Sequence, residues 1–203
     1  GIELDGTLVQ FARQYAREQG VGERARFARG DLFKTDLRAA SVVTLYLLPD
    51  MLIELRPKLL ETLRPGTRIV AHDFDLGEWR PDEHLSIPVP LKPVGPAPQS
   101  DIYLWIVPAR IAGVWHGAVG GRPLVFVAQQ RYQEVQIEAT LDGRPVAARA
   151  ARLQGAQLAF ELESDVPMTF SGTVEGERIA GLARVTERSL GWQVARRSRE
   201  ADR

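Results

Sequence analysis

Ser41 to Leu48 reads Ser-Val-Val-Thr-Leu-Tyr-Leu-Leu, a nearly unbroken apolar and β-favouring run, and few folds can house such a strand. A half-exposed strand alternates. A continuous run instead expects cover on both faces, as parallel strands have when helices lie above and below the sheet. Pro49 stops the run, and Leu52, Leu55, Leu59 and Leu63 then recur at helical spacing as an inward stripe, with Asp50 placed to cap the helix. Pro57 lacks an amide hydrogen, so it either kinks this helix or begins a fresh one after a short first turn. Arg64-Pro65-Gly66 ends the element, and Thr67 to Ala71 is the next strand.

The same cadence occurs upstream. Gly1-Ile2-Glu3-Leu4-Asp5 is the end of a strand carrying an acid, and Leu8, Phe11, Ala12, Tyr15 and Ala16 mark one helix face, predicted to be buried, before Gly20 and Gly22 close the helix. Ala25 to Ala28 leads into Gly30-Asp31-Leu32-Phe33, so a second strand terminates at Asp31. The order to about residue 75 is β-α-β-loop-β-α-β, which implies parallel strands with right-handed crossovers. Open sheets of this kind bind ligands beyond the carboxyl ends of their strands, where one carboxylate can accept both ribose hydroxyls of a nucleoside while a second reads the adenine amine. Glu3 and Asp31 are the acids so placed. The chain is expected to begin inside the second strand of its sheet, with the first strand and any glycine-rich loop outside these 203 residues.

After Trp79 the composition changes. Pro81, Pro88, Pro90, Pro93, Pro96 and Pro98 suit loop or edge strand, and Ile102 to Val107 returns as a strand. Beyond Pro108 no helix is predicted. Short strands recur about every ten residues between turn signals at Gly120-Gly121, Asp142-Gly143, Gly155, Glu175-Gly176 and Gly191. Leu124, Phe126, Ala128 and Val135, Ile137, Ala139 alternate, so one face is buried. An echo between residues 137–143 and 170–176 indicates two similar hairpins. Trp105, Trp115, Tyr132, Phe160, Phe170 and Trp192 suit a ligand cup or, more simply, the filled interior of a small barrel. The expected organisation is an α/β, Rossmann-like unit over 1–108, an all-β antiparallel barrel or sandwich over 109–198, and a tail over 199–203, with Arg196-Arg197-Ser198-Arg199 as a solvated basic end.

Twenty-six basic and 26 acidic residues cancel, which argues against a nucleic-acid or anionic-membrane footprint. The absence of cysteine removes disulfides and thiolate metal sites and suits cytoplasm or periplasm equally. No apolar run approaches the roughly 20 residues that span a bilayer.

Four pieces in order, Gly-Ile-Glu-Leu-Asp, Gly-Asp-Leu-Phe, Val-Val-Thr-Leu-Tyr-Leu-Leu-Pro and Leu-Arg-Pro-Gly-Thr-Arg-Ile-Val, make residues 1 to about 107 resemble the class I (seven-strand) S-adenosylmethionine-dependent methyltransferases, particularly bacterial members near the protein-lysine methyltransferase group. The resemblance implies S-adenosylmethionine as cofactor, with Glu3 on the ribose, Leu4 beside it, and Asp31 with Leu32 facing the adenine. It implies that Tyr46 to Pro49, Leu48 among them, bring the methyl group against the acceptor, with Tyr46 also contacting the cofactor; the position of Tyr46 close to Pro49 further suggests it as the group that orients an amine or takes its proton. His72 and Asp73 are expected to line the acceptor pocket, the acceptor being a protein lysine or a small molecule. Gly113-Val114-Trp115 resembles the start of a C-terminal β extension in such proteins. The family's glycine-rich loop after the first strand is absent from these residues.

Other readings compete. His72-Asp73-Phe74-Asp75 with Glu78 gathers an imidazole and carboxylates, but a hard-cation site needs oxygens from several segments, and no metal is expected. A non-catalytic binding or assembly protein, with the β module as its working part, is the alternative from another class. A nicotinamide-binding domain also places an acid after its second strand, yet no dehydrogenase base or substrate arginine stands out.

Overall fold

The computed structural model describes residues 1–91 and 98–196; Pro93 and Pro96 of the proline-rich stretch, Arg197-Ser198-Arg199 and the tail lie outside the described residues. The first segment is a parallel pair, β1 (Ile2–Glu3) and β2 (Ala28–Arg29), joined by α1 (Gly6–Glu18). Asp5 caps α1 by accepting the amides of Thr7 at 2.7 Å and Leu8 at 3.4 Å, satisfying donors that no preceding turn can reach. Gly20 ends the helix in the left-handed region, at φ +67°. The predicted helix therefore forms, but of its apolar stripe only Ala16 is buried and Ala12 partly so. Val9 and Ala16 are the buried residues of α1, whereas Leu8, Phe11 and Tyr15 are more than half exposed, because no described element packs on that face.

β3 (Val42–Leu45) and β4 (Arg68–His72) are parallel, connected by α2 (Pro49–Thr62), and the antiparallel strands β5 (Glu83–Pro88) and β6 (Gln99–Ile106) complete a mixed sheet of order β3-β4-β6-β5. Leu52, Leu55, Leu59 and Leu63 lie in the core as predicted, against Val43, Leu45, Ile69, Ala71 and Trp105. Two readings are corrected here and a third, of Pro57, is narrowed. β3 is covered on one side only: Val43 and Leu45 are buried while Val42 and Thr44 are exposed, since α2 packs on one face of the sheet. Asp50 sits in the first turn of α2, whose cap position is Leu48 without a side-chain bond, Pro49 occupying the place where a missing amide hydrogen costs nothing. α2 also runs as one helix through Pro57 and does not restart there. Further, the two parallel pairs are not one sheet: β1-β2 is separate from the mixed sheet, so a continuous Rossmann-like arrangement is not seen among the described residues.

The β module is a closed barrel. β7 (Gly113–Val119), β8 (Arg122–Arg131), β9 (Glu134–Leu141), β10 (Arg144–Gln154), β11 (Gln157–Leu162), β12 (Met168–Glu175), β13 (Arg178–Val185) and β14 (Arg188–Arg196) each pair antiparallel with the next, and β14 returns to β7 through Trp192↔Val119 to Arg196↔Trp115. Inward alternation buries Leu124, Phe126, Ala128, Ile137 and Ala139, and Trp115, Phe160, Phe170 and Trp192 fill the centre. The Phe160 and Phe170 rings stack at 4.6 Å and Trp192 meets Phe170 edge-on at 5.4 Å. Trp105 and Tyr132 are not part of this interior. Trp105 belongs to the α/β core, and Tyr132 stacks on Trp79 at 5.9 Å. Gly191 is not a turn but a strand residue opposite Leu182, and the β13–β14 turn instead holds Thr186 at φ +51°.

The two cores are tied by polar contacts from the β8–β9 turn. Gln133 accepts from the fully buried Trp79 indole at 2.8 Å and donates to the Arg80 carbonyl at 2.8 Å, while Arg131 pairs with Glu78 at 2.9 Å.

Candidate active site

Pairing Ile2↔Ala28 and Glu3↔Arg29 in parallel brings Glu3 and the Asp31 turn to the same carboxyl edge of β1-β2. Glu3 Oε1 accepts the Asp5 amide at 2.9 Å, and Gly30 donates to the Glu3 carbonyl at 3.0 Å, so the strand end is held from both sides. The Leu4 side chain is exposed, and its carbonyl accepts from Arg29 Nε at 3.1 Å. Asp31 Oδ1 accepts the Phe33 amide at 2.9 Å and Oδ2 lies 3.6 Å from the exposed Lys34 ammonium. Leu32 is partly buried against the α/β core. Carboxylates at neighbouring strand ends are hydrogen-bond acceptors, the chemistry that ribose hydroxyls and an exocyclic amine require, so this donor and acceptor set fits an adenine nucleoside.

A second group gathers at the carboxyl ends of β3 and β4. Tyr46 is three-quarters exposed, and its ring centroid lies 5.1 Å from that of His72. His72 Nδ1 is 3.5 Å from Asp73 Oδ2. Asp73 adopts φ +65°, a conformation that aspartate and asparagine reach more readily than other non-glycine residues, and is held in it by reciprocal bonds: its amide donates to the Asp101 carbonyl at 2.7 Å and its Oδ1 accepts the Asp101 amide at 3.2 Å. Leu48 and Pro49, at the start of α2, are exposed next to Tyr46 in the chain. The predicted site residues therefore fall into two groups, Glu3, Leu4, Asp31 and Leu32 on one parallel pair and Tyr46, Leu48, Pro49, His72 and Asp73 on the other.

Sequence reasoning missed the polar network beside Asp73. Asp101 accepts from Ser86 and lies 3.0 Å from His84 Nε2; the bonds from Ser86 and then His84 hold its carboxyl below the usual value. The His84 ring stacks on Tyr103 at 4.5 Å. Burial, and then the nearby carboxylates of Asp101, Asp75 and Asp73, push the Tyr103 phenol up. These residues lie on the two strands of an antiparallel hairpin, and only its register, His84↔Tyr103 and Ser86↔Asp101, brings them together. Among the described residues no group of three or more histidine, aspartate or glutamate side chains is arranged to hold a metal ion, and no helix is long and apolar enough to cross a membrane.

Comparison with known proteins adds a family likeness to this geometry. Residues 1–83 match the family model of the ANTKMT methyltransferase domain. A protein-lysine N-methyltransferase of Saccharolobus islandicus (strain REY15A) is 36% identical over 87 residues, covering 43% of this chain and 54% of that protein. The adenine nucleotide translocase lysine N-methyltransferase of Mus musculus is 37% identical over 81 residues, covering 40% of this chain and 35% of that protein. An RNA methyltransferase from Salinibacter ruber, solved with S-adenosyl-L-homocysteine, shares 44% identity over 55% of this chain and 66% of its own, with a TM-score of 0.49. The chain thus spans about half the length, or less, of these curated relatives. Over residues 1–83 it is similar to the methyltransferases of this family.

Proposed function

We propose that the chain is the cofactor- and acceptor-binding part of an S-adenosylmethionine-dependent protein-lysine methyltransferase, with residues 1–108 as the catalytic unit and 109–198 as an appended barrel. The observation that carries this is the parallel register of β1 and β2, which sets Glu3 and Asp31 at one strand edge within the stretch that matches the methyltransferase family. Glu3 and Leu4 bind the ribose side and Asp31 with Leu32 the adenine side. Bound S-adenosylmethionine supplies a sulfonium methyl group that is already electrophilic, so the protein need only orient and shield.

A lysine acceptor enters as an ammonium and must lose a proton before its nitrogen has a lone pair for the methyl group that a bound cofactor would supply. Tyr46 and His72 are the groups proposed to hold that amine and take the proton, with Asp73 steadying the imidazole and Leu48 and Pro49 walling the approach. The lysine-modifying relatives favour a protein lysine over a small molecule. The alternative of a non-catalytic binding or assembly protein worked by the barrel is not favoured, because the similarity to methyltransferases lies in residues 1–83; a ligand cup in the barrel is not favoured either, because its interior is packed with its own aromatic side chains.

Calorimetric titration with S-adenosylhomocysteine tests the proposal. Charge-assisted hydrogen bonds contribute about 1.5–3 kcal/mol, so Glu3→Ala is expected to weaken binding about tenfold or more. Absence of saturable binding, or identical affinity in wild type and Glu3→Ala, refutes it. Methyl transfer to a lysine peptide by Tyr46→Phe then tests the hydroxyl: an unchanged rate dismisses it.

A further inference from the structure

Lys58 rises from the middle of α2, and its ammonium donates to three main-chain carbonyls, those of Leu32 at 2.8 Å, Phe33 at 2.8 Å and Thr35 at 2.5 Å. An ammonium carries three protons, and all three are engaged. The three acceptors belong to one turn, and Asp31 organises it. The Asp31 carbonyl accepts the amides of Lys34 and Thr35 at 3.0 Å and the Thr35 hydroxyl at 2.8 Å, while the Asp31 carboxylate takes the Phe33 amide. The result is a single helical turn that is not continued, and its far carbonyls are left without main-chain partners. A cation there meets the negative end of aligned peptide dipoles.

We propose that Lys58 is a positioning residue for nucleoside binding: through these three bonds it sets the Asp31-Leu32 turn at a fixed height and angle against α2. The inference rests on the reading of Asp31 and Leu32 as the adenine-facing pair. Its physical basis is the isolation of β2, which is two residues long and pairs with β1 alone. Among the described residues, no strand pairing ties that edge to the mixed sheet, where Tyr46 and His72 stand. The turn itself is linked to the α/β core by the apolar packing of Leu32 and Phe33 and by the Lys58 ammonium, with Leu37 packing and the bonds from Arg64 to Ala39 and Thr67 to Ala40 following farther along the chain. Packing without direction leaves the turn free to rock, whereas three converging hydrogen bonds fix its orientation.

Lys58→Met keeps the apolar stem and removes the donors. The measurements are S-adenosylhomocysteine affinity by calorimetry, amide hydrogen exchange over residues 31–37, and Tm. The expected result is binding weakened about tenfold with faster exchange confined to the turn, a local loss that a merely structural residue does not give. Should Lys58→Met not fold, Lys58→Arg decides, because a planar fork satisfies fewer of the three converging carbonyls: about threefold weaker binding at native Tm supports the inference, and unchanged affinity overturns it. Wild-type affinity in a folded Lys58→Met, or weakened binding by the folded variant without faster exchange over residues 31–37, overturns the inference alone. No binding by the wild type overturns the cofactor reading and the inference with it.

Discussion

Gly181 is, with Gly117, where the barrel least tolerates a side chain. It sits in β13 directly opposite Gly172 of β12, and a Cβ built on it falls 1.9 Å from the Ser171 carbonyl oxygen and 2.5 Å from Gly172 Cα. Both neighbours are main-chain atoms, which no rotamer change moves aside, so Gly181→Ala can be relieved only by spreading two hydrogen-bonded strands of a closed ring. Overpacking of a side-chain core costs about 1–3 kcal/mol, and a clash with backbone belongs at or above the top of that range. About 3 kcal/mol in a chain of this size lowers Tm by roughly 6–12 °C. Gly191, in the adjacent strand and without any atom within 4 Å of its added Cβ, is the internal control: Gly191→Ala is expected within about 0.5 kcal/mol of wild type. Urea unfolding followed by tryptophan fluorescence reads both, since Trp115 and Trp192 lie inside the barrel. Equal stability of the two variants would show that the strands are not held as closely as described.

Gln133→Ala removes the partner of the buried Trp79 indole and should cost about 1–3 kcal/mol, measured by chemical denaturation. The Asp101 carboxyl is held below its unfolded value, so its contribution is in place above the ordinary carboxylate range and is lost as pH falls through the lowered folded value; the stability gap between wild type and Asp101→Asn should be open at pH 7 and close toward pH 2. Asp82 has the opposite sign: burial first of all pushes its carboxyl up, so its ionisation above the unfolded value weakens the fold as pH rises. Asp82→Asn, which keeps an acceptor for the Ile106 amide, should therefore raise Tm at pH 7 and leave it unchanged at pH 3. A thermal scan at the two pH values checks this.

Leu52, Leu55, Leu59 and Leu63 were legible because a helix face is a local period, and the barrel was legible because turn signals recur along the chain. What failed was cover. Leu8, Phe11 and Tyr15 have the right spacing for burial, but spacing says which side chains share a face and not whether anything lies on it. The same limit applies to Val42 on the open side of the mixed sheet. Glu3 and Asp31 could be placed at one edge because parallel strands carry their ends to a common side. Lys58 left no local signal, since its partners are main-chain carbonyls 23 to 26 residues earlier, and carbonyls have no side-chain identity to read.

The return of β14 to β7 sets the module's entrance and exit side by side: Arg196, the last described residue, bonds to the Arg110 and Ala112 carbonyls and lies over the Trp115 ring at 4.7 Å. A ring whose two ends meet is a cassette. It can be spliced into a host loop without stretching the host, and its removal exposes no raw strand for another molecule to pair with.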